Sequence, residues 1–228
     1  MQMGAEAVHS ANPNVLVILS GLNFDNDLSF LSNKQVNLSF TGKLVFELHW
    51  YGFSDGQAWA NGNPNQVCGS VKANVMRRAG FLLDQGWPLF LSEFGVDQRG
   101  VNVNDNRYLG CMLSVAAELD LDWALWALQG NYYLRQGVLG LDEVYGVLAW
   151  DWCKPRNSSF LQRIATLHSP FRGMDIVLYV ISHFHHEHYM ILFMMQVQVF
   201  LMFNLIRYSS IRQLGYVSLR NLCLNHYD

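Results

Sequence analysis

Between Asn14 and about Arg172 a unit recurs along the chain: a short apolar run, a polar loop, then a stretch with helical spacing. The apolar runs cover residues 15–19, 44–51, 88–93 and 123–127, each bounded by Gly, Pro, Asn or Asp. Runs of that length between turn residues predict buried strands. Helix-like stretches fall at residues 1–11, 71–85, 106–119 and 160–167. In the second of these, Val71, Val75, Ala79 and Leu82 make one apolar stripe, and Gly86 and Pro88 follow as stop signals. Strands alternating with helices predict a parallel sheet and an α/β architecture.

After Gly173 the pattern stops. Residues 175–228 contain no Lys, no Pro and one Gly. Within them, residues 189–206 form an uncharged run close to the roughly 20 residues of a membrane span. Gln196, Gln198 and Asn204 interrupt it and no clear positive flank follows, so membrane contact there is the weaker reading. His183, His185, His186 and His188 crowd beside Glu187. Adjacent histidines point apart in helix and strand alike, so they do not read as a metal site. The expected division is therefore residues 1–173 as one α/β unit and 174–228 as an apolar tail outside it, an aberrant terminus.

Composition narrows the partners. Charged residues are 14% of the 228 and apolar ones 51%. Ordinary soluble domains carry about 25% charged residues, so this chain buries much of itself or meets a membrane. A net charge of −3 without a basic patch argues against nucleic acid. The aromatic share of 14%, with seven Trp, suits stacking on flat apolar faces such as sugar rings, or an aromatic core. Cys68, Cys111, Cys153 and Cys223 form no CxxC pair, which argues against a zinc ribbon or redox motif. They allow a disulfide in a secreted chain without selecting the pair. Sequons stand at Asn37 and Asn157. No signal peptide opens the chain; residues 1–11 read as a helix running to Asn12-Pro13-Asn14, so the chain is expected to start late in its domain.

Polar and aromatic residues gather where the predicted strands end. Asn23, Phe24 and Asp25 follow the first, His49 and Tyr51 close the second, Glu93 closes the third and Trp126 the fourth. In α/β barrels that end carries function. Glu93 ends an apolar run, where a carboxylate is costly without a role or partner; an ion pair with an Arg is the structural alternative. Strict alternation puts Leu89, Leu91 and Glu93 on one inward face, and Gly95 permits a tight turn beyond it. The same parity turns Glu47, His49 and Tyr51 inward and Trp50 outward. A Tyr hydroxyl beside a carboxylate can hold it ionised, and a His can donate a further hydrogen bond. Trp126 shares parity with Asp122 and Ala124 and can floor a cleft, although a lone Trp on a buried strand is more often core.

The order His-x-Tyr, then Ser-Glu-Phe-Gly, then Trp, each at a strand end, resembles glycoside hydrolase family 5, and residues 1–173 are similar to the second half of a plant cellulase-like member. That resemblance implies the last four units of a (β/α)8 barrel, with Glu93 as nucleophile, His49 and Tyr51 supporting it and the substrate, Trp126 at the cleaved bond and Asn23 near the substrate. It implies a polysaccharide substrate of β-1,4-glucan or mannan type, a retaining mechanism, no cofactor, no metal, and a place outside the cell or in the cell wall. Family members also carry an Asn-Glu pair on the fourth strand whose Glu is the general acid and base. The strand that would bear it is missing before residue 1, so this chain is expected not to hydrolyse by itself. Glu47, Asp25, Asp55 and Asp97 are its poor substitutes. A sugar-binding remnant without turnover and a membrane protein defined by its tail are the competing readings.

Overall fold

The computed structural model describes residues 1–34 and 36–167. The predicted boundary at residue 173, the histidine cluster and the run 189–206 lie outside the described residues. Among the described residues, no helix is long and apolar enough to cross a membrane.

Helix α1 (Gln2–Ala11) leads into strand β1 (Val17–Leu19), and β2 (Leu44–His49) follows a long polar connection. The next helical stretch is longer than the stripe predicts. A short α2 (Ala58–Asn61) precedes α3 (Pro64–Val75), which passes through a π turn at Met76–Gly80 into α4 (Phe81–Asp84). Asn63 starts α3: its side-chain oxygen accepts from the amides of Asn65 and Gln66 at 3.0 and 3.3 Å, with Pro64 at the first helical position. Val71, Val75, Ala79 and Leu82 are all buried, as their spacing predicts. Strand β3 (Leu89–Phe94), helix α5 (Val103–Glu118) and strand β4 (Asp122–Leu125) complete the regular alternation. A hairpin, β5 (Asn131–Arg135) and β6 (Val138–Asp142), and helix α6 (Ser158–Ile164) come last.

The four main strands form one parallel sheet in the order β1-β2-β3-β4. The expected half-barrel arrangement of four β/α units is thus present. One face packs on the helices: Leu19, Phe46, Leu48, Leu91 and Phe94 meet Val71 and Val75 of α3 and Leu109 and Met112 of α5 in a single apolar core. A disulfide joins Cys68 of α3 to Cys111 of α5, which selects the pair that the sequence left open.

Register reveals why the opposite face carries chemistry. Phe46 pairs with Leu89 and Leu48 with Leu91, but His49 pairs with Glu93. Strand β3 thus spends one residue more than β2 over the same step, and β4 sees the same excess between Leu91 and Phe94. The insertion is a bulge at Ser92. Strict alternation would have placed Leu89, Leu91 and Glu93 together. Instead Leu89 and Leu91 lie on the helix side, 3% and 0% exposed, and the bulge brings Glu93 onto the His49 side. Glu93 faces as expected, by a mechanism that period two does not contain. Trp50 is turned to the helix side and buried, as parity predicts.

Candidate functional site

The ends of β1, β2, β3 and β4 and the hairpin β5–β6 enclose a cleft of about 670 Å³. Asn23, His49, Tyr51, Glu93 and Trp126 all line it, so the structure brings together every residue that the sequence singled out for the site. Phe24, Phe53, Tyr132, Arg135, Glu143 and Tyr145 line it as well.

Glu93 is the centre of the geometry. The Tyr51 hydroxyl donates to its Oε2 at 3.0 Å, and His49 Nδ1 lies 3.5 Å from the same oxygen. Burial raises the Tyr51 phenol well above its usual pKa, and the negative charge of Glu93 raises it further. Tyr51 therefore stays protonated and keeps donating to the carboxylate throughout the working range. Its ring is stacked on Phe53 at 4.8 Å and meets Tyr145 edge-on at 5.9 Å, which fixes the direction of the hydroxyl. The Tyr145 phenol is itself pushed up to about 12, mainly by burial and then by Asp105 and Asp97.

His49 stands among three carboxylates. Its Nδ1 is 3.7 Å from Asp25, and its Nε2 is 3.9 Å from Glu47. Asp25, Glu47 and His49 bring ligand atoms within 4.8 Å of one another and could accept a cation. The backbone at this point is pinned from behind. The Trp50 indole and the Trp59 indole both donate to Asp55, at 3.2 and 2.7 Å, and the Tyr108 hydroxyl donates to the Trp50 carbonyl. Arg78 lies over the Trp50 ring at 5.4 Å.

The remaining carboxylates sort by their partners. Asp55 is occupied behind the sheet by the two indoles and does not line the cleft. Arg99 forks onto Asp97, which also lies outside the cleft. Glu47 accepts the Ser20 hydroxyl at 2.7 Å and sits one residue pair below His49. Glu6 is taken by Ser39 and Glu118 by Lys72. Sequence reasoning missed Glu143. This buried residue accepts from the Tyr132 hydroxyl, the Arg135 guanidinium, the Tyr145 amide at 3.0 Å and the Trp126 indole at 3.4 Å. Four donors aimed at one carboxylate make it an anchor for Trp126 and the hairpin, not a group poised to give up a proton. The signal for it was Gln136-Gly137, whose φ of 54° and 77° closes a two-residue hairpin turn.

Gly95 departs from its expected role. Its φ is not positive; rather, a Cβ there would stand 2.5 Å from the Trp126 carbonyl oxygen. Glycine is required because the ends of β3 and β4 nearly touch, which sets Trp126 beside Glu93.

Known proteins share sequence and fold with this chain. A family model described as cellulase (glycosyl hydrolase family 5) matches residues 1–132. A glycosyl hydrolase 5 family protein of Chamaecyparis obtusa is 49% identical over 179 residues, covering 75% of this chain and 32% of that protein. Among solved structures, an endocellulase of Pyrococcus horikoshii in complex with cellotetraose superposes with a TM-score of 0.60 at 16% identity, covering 73% of this chain and 46% of that one. The major endoglucanase of Xanthomonas campestris pv. campestris gives 0.57 at 18% identity, covering 73% and 48%. The chain thus spans about a third of the curated relative and just under half of the similar structures.

Proposed function

The chain belongs to glycosyl hydrolase family 5, and from that premise we propose that its cleft is the nucleophile half of a retaining glycanase site for β-1,4-glucan or β-mannan. Retaining hydrolysis uses one carboxylate to attack the anomeric carbon and a second carboxyl, about 5 Å away, to protonate the leaving oxygen. Glu93 is the attacking group. Its Oε2 is held by Tyr51 and flanked by His49, while Oε1 accepts no hydrogen bond from the described residues and is the oxygen left to attack. Trp126 floors the subsite at the cleaved bond, and Asn23 offers its amide to the sugar hydroxyls at the rim. The observation that carries this reading is the contact of Tyr51 and His49 on one oxygen of the one carboxylate that ends a central strand in the cleft.

No residue of this chain is assigned as general acid. The sequence has no Asn-Glu pair, and each carboxylate among the described residues near the cleft is engaged as an acceptor or set below it. The isolated chain is accordingly a sugar-binding half-site that does not cleave unactivated polysaccharide. The Cys68–Cys111 disulfide supports an oxidising compartment, and with it a place outside the cell or in the cell wall.

The test is intact mass after incubation with an activated fluoro-glycoside, whose leaving group needs little protonation. The expected product is a glycosyl adduct on the wild-type chain and none on Glu93→Gln. Turnover of unactivated glucan by the isolated chain, lost in Glu93→Gln, would mean that a second carboxylate here serves as acid and would overturn the half-site assignment.

A further inference from the structure

Phe24 is 95% exposed at the rim of the cleft. A scattered exposed apolar residue needs no explanation, but this one is held in place. Asn23, Phe24 and Asp25 have φ of 54°, 59° and 61°, three consecutive residues bearing a Cβ in the left-handed region. Such conformations persist only where the surroundings impose them, and they gather at ligand sites. Here the surroundings are explicit. Asp25 Oδ1 accepts the Gly21 amide at 2.7 Å, and Leu22 and Asp27 bridge across the base of the turn. The Asp25 carbonyl accepts the His49 amide at 2.9 Å, and the Asn26 side chain donates to the His49 carbonyl at 3.0 Å. The turn is thereby fastened to the strand end that carries His49, yet its tip ring packs into no core.

Phe53 lines the same cleft, 66% exposed, and its ring lies parallel to Tyr51 within 10°. Two apolar rings on fastened backbone, in a cleft that also presents Asn, His, Tyr and Glu side chains, match a ligand with flat apolar faces and a polar edge. A pyranose whose ring hydroxyls are all equatorial has that shape: its axial C–H bonds present two apolar faces. We propose that Phe24 and Phe53 form a second sugar platform, binding a β-linked glucose unit other than the one at Trp126 and selecting for chain length. This inference rests on the glycanase reading of the cleft.

The experiment is calorimetric titration of the full chain with cellotetraose and cellobiose, for wild type, Phe24→Ala, Phe53→Ala, Phe24→Trp and Trp126→Ala. Each Phe→Ala variant is expected to weaken cellotetraose about 5-fold or more and to bring its affinity toward that of cellobiose, about 1 kcal/mol of ring stacking in each case. Phe24→Trp should keep the tetraose preference, and Trp126→Ala should weaken both ligands. Unchanged affinities in Phe24→Ala and Phe53→Ala, with loss in Trp126→Ala, would overturn the platform and leave the glycanase reading standing. A lower melting temperature in Phe24→Ala at unchanged affinity would make Phe24 a packing residue, with the same consequence. Absence of binding by wild type would overturn both.

Discussion

Removing the disulfide between α3 and α5 is the perturbation whose size the structure fixes best. Cys68 and Cys111 are 43 residues apart in sequence, so the bond closes a loop of that length in the unfolded chain. In the chain-entropy account the closure costs the unfolded state about −2.1 − 1.5R ln 43, or about −13 cal/mol/K, for the 43-residue separation. At 25 °C that is about 4 kcal/mol of native stability. The bond also clamps the two helices that cover the central strands β2 and β3, so its loss releases the elements on which His49 and Glu93 stand. The comparison is wild type against Cys68→Ala/Cys111→Ala, each expressed under oxidising conditions and followed by urea denaturation with circular dichroism. The double variant should be about 4 kcal/mol less stable, which for a chain of this size lowers the melting temperature by about 8–16 °C. Equal midpoints and slopes would refute the reasoning, for they would mean that the bond does not form in solution or that the unfolded chain already holds these segments together.

Three further outcomes follow from the same geometry. Tyr51→Phe removes a hydrogen bond to a carboxylate while keeping the ring stack on Phe53, so formation of the Glu93 glycosyl adduct should slow about 10- to 100-fold, from about 1.5–3 kcal/mol of lost donor, with no change in melting temperature beyond a degree or two. Gly95→Ala drives a methyl against the Trp126 carbonyl, which is backbone and cannot swing aside; it should cost about 1–3 kcal/mol in urea denaturation and weaken cellotetraose binding together. Burial raises the Asp55 carboxyl above its ordinary pKa, so whatever stability the protonated group contributes is complete below the unfolded value and is lost as pH rises through the folded one. Asp55→Asn should therefore gain on wild type as pH climbs across that window, and a stability difference that does not vary with pH would contradict it.

Much of this was legible because burial on a parallel sheet leaves strong local marks. The stripe Val71, Val75, Ala79 and Leu82 names a helix face, and the strand-end residues His49, Tyr51, Glu93 and Trp126 meet in one cleft because parallel strands all deliver their C-terminal ends to the same side. What was hidden depends on contacts between distant segments. Ser92 carries no sign that it is a bulge, since the extra residue is defined only against the registers of β2 and β4. Gly95 reads as a turn residue until the carbonyl of Trp126, 31 positions later, is placed where a Cβ at residue 95 would come within 2.5 Å of it. Glu143 lies in a stretch without helical spacing, and its role exists through the Trp126 indole, the Tyr145 amide, and Tyr132 and Arg135, which a largely exposed hairpin folds back to it.

The bulge at Ser92 divides strand β3 into two parts with independent phase. Leu89 and Leu91 answer to the helices, whereas Glu93 answers to the cleft, and the inserted residue uncouples the two demands. Substitutions among the first three positions can therefore drift with the packing of α3 and α5 without rotating the carboxylate. Pairing β3 with β2 residue for residue while Ser92 stays in place would instead carry Glu93 onto the side of Leu91 and drive a charge into the apolar core. A one-residue deletion at 92 leaves Leu91 and Glu93 adjacent and therefore on opposite faces, so the facing of the carboxylate should survive that deletion as it survives substitution of residue 92.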